Sequence, residues 1–405
     1  MTMKRFCCGA LLLAACALPA GAAPLLPAMG ARGDAITVSG ISSGGYMAVQ
    51  FQVAFSSLVK GAGVLAAGPY DCAEGSTWRA LNNCMAPKSW ALPPTPDAIK
   101  PRMESRARLD LIDPPAGLAD DKVWVMTGGA DHTVERPVVD ALVAFYRQWM
   151  PAGAIRLVPL PDAGHAMISV SDTRPNACDT SEPPFINRCG DFDAPGELLG
   201  HLLGPLKPRS TGRPESLVAF DQRPFIKGPP ADISMAEQGF AYIPAACRSG
   251  GCQVHVAFHG CRQSEDQVGR RFVEGAGYNA WAESNRLVVL YPQTVARSGP
   301  AAGSLRWVYN PKGCWDWWGY TTADYYDKAC ACSRRTPSSW THTRDAPRRG
   351  GGNLRARWPC RARSAPARRR GTRSLRAIHR AALRRARSRA RRVGHGLAAS
   401  RTRRG

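Results

Sequence analysis

The residues with the clearest chemical potential lie in Gly40-Ile41-Ser42-Ser43-Gly44-Gly45. A serine with glycine two positions to either side is the pattern of a nucleophile elbow, a sharp strand-to-helix turn that pushes the hydroxyl outward. The flanks fit that context. Ala35-Ile36-Thr37-Val38 is a short β-rich run, and Tyr46 to Leu58 carries apolar residues at helical spacing. A serine hydroxyl becomes a useful nucleophile only beside a base that is itself oriented by an acid. Lys122 to Gly128 reads as a strand that runs into Gly129-Ala130-Asp131, placing Asp131 just past a strand end. Asp120 and Asp121 precede that strand and fall at its wrong end. Asp162 competes, but it sits close in sequence to the candidate base. Ile155 to Leu160 reads as another strand, and the loop after it carries His165. The order Ser42, Asp131, His165 follows the Ser, acid, His order of α/β-hydrolases. Such a set performs acyl transfer, and it calls for no metal or organic cofactor.

The elements that must position these residues need a globular body, and the charge locates it. The 405 residues carry a formal net charge of +23. Residues 330–405 hold 24 of the 54 basic residues, all arginine, against one acid, Asp345, of 31. The remainder is balanced, so nucleic-acid binding, where charge would drive it, concerns the tail and not the body.

At the N-terminus, Met-Thr-Met-Lys-Arg precedes an apolar run from Phe6 to Leu18 and small residues to Ala23. This reads as a signal peptide over residues 1–23, and the run is too short for a membrane span. Leu13-Ala14-Ala15-Cys16 also fits a lipoprotein box that would anchor the chain through Cys16. The expected location is therefore secreted or periplasmic, with a lipid anchor as the alternative.

Export implies an oxidising compartment, in which the eight body cysteines should pair. Eight cysteines allow about a hundred pairings. Short loops close at low entropic cost, which favours Cys72–Cys84, Cys178–Cys189 and Cys247–Cys252, leaving Cys261–Cys314 as a long-range pair.

Residues 171–235 are rich in Pro, Asp, Ser and Gly and read as connecting structure. Val254 to Cys261 then alternates as a strand ending in His259-Gly260-Cys261. Tyr278 to Glu283 looks helical, and Arg286 to Gln293 reads as a strand. Asn310 to Trp318 packs three tryptophans into four positions, Trp315, Trp317 and Trp318.

Val38 to Met47, Gly68 to Cys72, Thr127 to Val134, His165, the His259-Gly260-Cys261 strand, Leu290 to Gln293 and Gly313 to Trp317 together resemble the extracellular polyhydroxybutyrate depolymerases of the single-domain, circularly permuted α/β-hydrolase type. The resemblance implies an α/β fold in one compact catalytic domain over residues 24–329. In the usual hydrolase order, the loop donating an oxyanion N–H precedes the elbow. Here it follows His165, and moving residues 240–328 ahead of residue 35 would restore the order. The amide after the nucleophile, on Ser43, is the first expected oxyanion donor. The resemblance supports Cys261 as the second. Trp317, with Trp315 beside it, is expected to offer an apolar wall to the aliphatic substrate, and the resemblance implies that a tryptophan of this motif lines the crevice. The expected activity is hydrolysis of poly(3-hydroxybutyrate) or its oligomers by a monomer through an acyl-serine. The alternatives are an acetylxylan or feruloyl-type esterase and, in another class, a nucleic-acid binder acting through the tail.

The resemblance stops near Lys328. Residues 330–405 are expected to be a disordered Arg-rich tail. Their Arg, Ala, Ser, Gly and Pro content is what GC-rich coding sequence gives in a shifted frame. On that reading a helix that should close the domain is missing.

Overall fold

A computed structural model of the chain describes residues 23–33, 36–302 and 306–328. The signal-peptide and lipoprotein assignments of residues 1–22 and the tail from 329 onward lie outside the described residues.

Among the described residues, twelve strands run in chain order as β1 (Ile36–Ile41), β2 (Val59–Leu65), β3 (Lys122–Gly128), β4 (Ile155–Leu160), β5 (Met167–Ile168), β6 (Ile186–Asn187), β7 (Leu217–Asp221), β8 (Gln238–Tyr242), β9 (Gln253–Phe258), β10 (Leu287–Tyr291), β11 (Arg297–Pro300) and β12 (Trp307–Asn310). The helices are α1 (Ser43–Ala54), α2 (Thr77–Asn82), α3 (Pro96–Arg108), α4 (Arg136–Tyr146), α5 (Ala194–Leu203), α6 (Glu265–Val268), α7 (Arg271–Gly275) and α8 (Tyr278–Asn285).

Eight strands form one sheet in the order β4-β3-β2-β1-β9-β10-β8-β7. From β4 to β10 all neighbours are parallel, and β8 is antiparallel to both β10 and β7. Strands buried on both faces read as nearly continuous apolar runs, as Leu287-Val288-Val289-Leu290-Tyr291 does. Period-two alternation then assigns the faces. Val123 and Val125 join the cluster packed with α1, α3 and α4, while Trp124 and Met126 join the one packed with α5 and α8. The fold is therefore an α/β sheet covered on both sides, as the sequence implies.

The permutation is visible in the sheet order. β9 lies beside β1, pairing Ile36 with Val254 and Gly40 with Phe258, although it follows it by more than two hundred residues. The displaced segment begins earlier than the sequence reading puts it. Leu217–Asp221, inside the stretch read as connecting structure, is the edge strand β7 and belongs with it. A five-residue edge strand between Pro- and Gly-rich loops gives too short a run to stand out.

Among the described residues, four disulfides join Cys72–Cys84, Cys178–Cys189, Cys247–Cys252 and Cys261–Cys314. Among the described residues, no helix is long and apolar enough to cross a membrane.

Candidate active site

β1 delivers the chain to Ser42, whose φ of 56° and ψ of −124° are those of a strained elbow. Ser42 is the N-cap of α1. An N-cap serine ordinarily spends its oxygen on the amides of the first turn, but this side chain makes no such bond. Its own amide donates to Leu65 O at 2.9 Å, fixing the elbow to the end of β2. The helix can start this close to the sheet only because residue 44 lacks a side chain. A Cβ there would lie 2.4 Å from the carbonyl oxygens of both Phe258 and His259.

The candidate acid and base come from the ends of β3 and β4, which are zipped together. Gly129 N donates to Leu160 O at 2.8 Å and Ala130 N to Ala163 O at 3.0 Å. Asp131 is buried. Its Oδ1 accepts from the amides of Thr133 and Val134 at 2.8 and 2.9 Å, and its Oδ2 contacts His165 Nδ1 at 2.7 Å. Fixing Nδ1 against a carboxylate leaves Nε2 as the nitrogen for proton exchange. Asp162, the competitor, is exposed. Asp121 lies at the other end of β3, buried against Gln52 at 3.0 Å.

The stretch after β4, read from sequence as connecting structure, braces the histidine. Gly164 N donates to Cys178 O at 2.9 Å, and His165 N to Ser181 Oγ at 2.8 Å. A Cβ on Gly164 would lie 2.4 Å from Asp179 O. The Cys178–Cys189 loop thus sets where His165 stands.

Ser42 and His165 line a common cavity of about 560 Å³. No hydrogen bond joins them. Apo catalytic contacts are commonly loose and tighten on substrate. Two backbone donors flank the serine. Among the described residues, neither Ser43 N nor Cys261 N donates to a protein acceptor. The His259-Gly260-Cys261 loop presses on the elbow, since a Cβ on Gly260 would lie 3.5 Å from Ser42 Cβ. His259 and Asn310 hold this loop and its partner. His259 Nδ1 contacts Gly260 O at 2.7 Å, and Asn310 clasps both the amide and the carbonyl of Cys314, to which Cys261 is joined. Burial holds His259 neutral by pushing it down to about 4.

The two expected tryptophans part company. Trp317 lines the cavity and stacks on Tyr46, ring centroids 4.0 Å apart and planes 8° off parallel. Trp315 does not line it. It is buried behind the His259-Gly260-Cys261 loop, packed on Phe258 and His259 at 4.9 and 5.4 Å between centroids. Adjacent tryptophans two apart point the same way only in a regular strand, and this segment is a turn built around the Asp316 carboxylate, which accepts from the amides of Gly319, Tyr320 and Thr321.

Sequence reasoning missed Tyr46, Trp307, Tyr309, Trp318 and Tyr320 in the lining. β12 carried a signal. Its Trp-Val-Tyr-Asn alternation puts Trp307 and Tyr309 outward and buries Val308 and Asn310.

No protein-family profile matches the chain. The poly(3-hydroxybutyrate) depolymerase of Delftia acidovorans is 41% identical over 314 residues, 76% of this chain. The chain spans 59% of that relative's length. The polyhydroxybutyrate depolymerase of Talaromyces funiculosus is 35% identical over 307 residues, 74% of this chain and 86% of that one. The chain belongs to the polyhydroxybutyrate depolymerase family.

Solved structures of the family agree. The PHB depolymerase from Penicillium funiculosum superposes with a TM-score of 0.68 at 31% identity, covering 78% of this chain and 97% of its own. A serine-to-alanine PHB depolymerase variant complexed with an R3HB trimer gives 0.69 at 30% identity, covering 79% and 98%. Nearly the whole of each depolymerase finds its counterpart here.

Proposed function

We propose that the protein is an exported serine esterase that hydrolyses poly(3-hydroxybutyrate) or its oligomers. The observation that carries this is one cavity holding a strained Ser42, the Asp131-oriented His165, and a wall of Tyr46 and Trp317 flat enough to lie along an aliphatic polyester. The family relatives, one of them complexed with an R3HB trimer, support the substrate class.

His165 Nε2 takes the Ser42 proton as the oxygen attacks an ester carbonyl. Asp131 stabilises the resulting imidazolium. The unpaired N–H groups of Ser43 and Cys261 receive the oxyanion, each worth about 3 kcal/mol of barrier. His165 then protonates the departing hydroxyl end of the neighbouring unit. Water activated by His165 releases the acyl group from Ser42.

We also assign residues 1–23 as a cleaved signal and 330–405 as an appendage outside the catalytic body. The backbone supports the first boundary, since Pro24 O already accepts from Asp221 N of β7 at 2.7 Å. Four disulfides are consistent with export.

Release of 3-hydroxybutyrate units from polymer film and from soluble trimer tests the reading. Ser42→Ala should lower kcat by at least about 10⁴-fold. Turnover of acetylated xylan with no release from either polyester substrate would overturn it.

A further inference from the structure

The charge lining the active-site cavity is one-sided. It contains two permanent cations, Arg262 and Lys312, and neither aspartate nor glutamate. The two stand on facing loops that are tied together, because Arg262 N donates to Lys312 O at 2.7 Å beside the Cys261–Cys314 disulfide. Among the described residues, neither side chain has an acidic partner. The Arg262 guanidinium instead lies over the Phe185 ring, 4.9 Å from its centroid, and Phe185 lines the same cavity. Several other arginines of the body are matched to acids, as Arg102 and Arg106 are to Asp71 and Arg271 is to Asp172. Neighbouring like charges repel, and an anion placed between them relieves that cost while gaining charge-assisted hydrogen bonds.

An aliphatic polyester is neutral along its length. Its one charged group is the carboxylate at the acid end. We propose that Arg262 and Lys312 form a carboxylate clamp that selects soluble oligomers by this free acid end. The inference rests on the polyester reading of the same site. Chain polarity fixes its consequence. The acyl–oxygen bond breaks, the acyl fragment stays on Ser42, and the fragment bearing the free acid leaves as the alcohol. The clamp therefore holds the leaving fragment, and it favours bonds near the acid end of oligomers over internal bonds of polymer. Both cations are exposed to solvent, so the gain is modest and screened by salt.

The test measures binding of the 3-hydroxybutyrate trimer, as free acid and as methyl ester, to the full-length Ser42→Ala protein by calorimetry. The acid should bind about three- to tenfold more tightly at about 0.01 M salt, and the ratio should fall toward unity at about 1 M. Arg262→Gln and Lys312→Gln should each lower the ratio, the double variant should abolish it, and Arg262→Lys should keep most of it. Equal binding of acid and ester, or a preference untouched by the double variant, would overturn the clamp. Hydrolysis of the methyl ester by the unmutated protein is measured alongside. Its absence counts against the polyester reading, whereas the binding ratio alone decides the clamp.

Discussion

Ser42 occupies a backbone region that costs a residue with a Cβ about 1–3 kcal/mol. That cost persists because the sheet, α1 and the loop after β9 close around it. Ser42→Gly and Ser42→Ala both remove the hydroxyl, but only glycine relieves the strain. Thermal unfolding should rank Ser42→Gly above Ser42→Ala by about 1 kcal/mol, with both inactive. A lower midpoint for the glycine variant would mean the elbow stores no strain. Asp131 acts through geometry as well as charge. Asp131→Asn keeps the shape but presents an amide to His165 Nδ1 and favours the wrong tautomer. We expect kcat to fall about 10⁴-fold with KM little changed, and steady-state kinetics on the trimer would check it.

At the scale of elements, the site depends on three close approaches: elbow against β9, the β3 loop against the β4 loop, and the histidine loop against the Cys178–Cys189 loop. Gly44→Ala should fail to express as folded protein, because its Cβ meets fixed backbone and not a movable side chain. Normal circular dichroism and activity would refute that. The far end of β3 makes a separate prediction. Burial raises the Asp121 carboxyl from its ordinary 3.8 to about 6. The folded form thus holds that proton more tightly than the unfolded chain. Its contribution is full below pH 3.8 and is lost as pH rises through about 6. Asp121→Asn should match the parent in acid and exceed it by about 1–3 kcal/mol above that range, as denaturant titrations at several pH values would show. Much of this architecture was legible in the sequence. β3 and β4 were readable to the residue because each is an apolar run ending in a glycine or proline loop. β7 was not, being a short edge strand, and neither was the bracing role of residues 178–189, which depends on a contact rather than a pattern. Trp315 was misplaced because spacing in a turn does not report which way a side chain points.

For the whole molecule, the last described residues are held to the rest of the sheet and its loops. Lys328 N donates to Leu111 O at 2.9 Å, and its ammonium pairs with Asp113 at 2.6 Å. Deleting residues 330–405 should leave trimer hydrolysis intact and abolish salt-sensitive DNA retention. Retention that survives the deletion would place the basic surface on the body instead. The permuted order has a consequence for how the enzyme comes into being. Ser42, Asp131 and His165 are all made early, yet β1 has only one neighbour until β9 arrives, and Thr37 and His255, bonded across that seam at 2.8 Å, are 218 residues apart. Until then β1 is a bare edge, and the wall that β9 and the His259-Gly260-Cys261 loop set against the elbow does not exist. A chain made from its N-terminus therefore carries Ser42 through most of its own synthesis beside an unfinished wall, and the elbow closes only when Gln253–Phe258 joins the sheet.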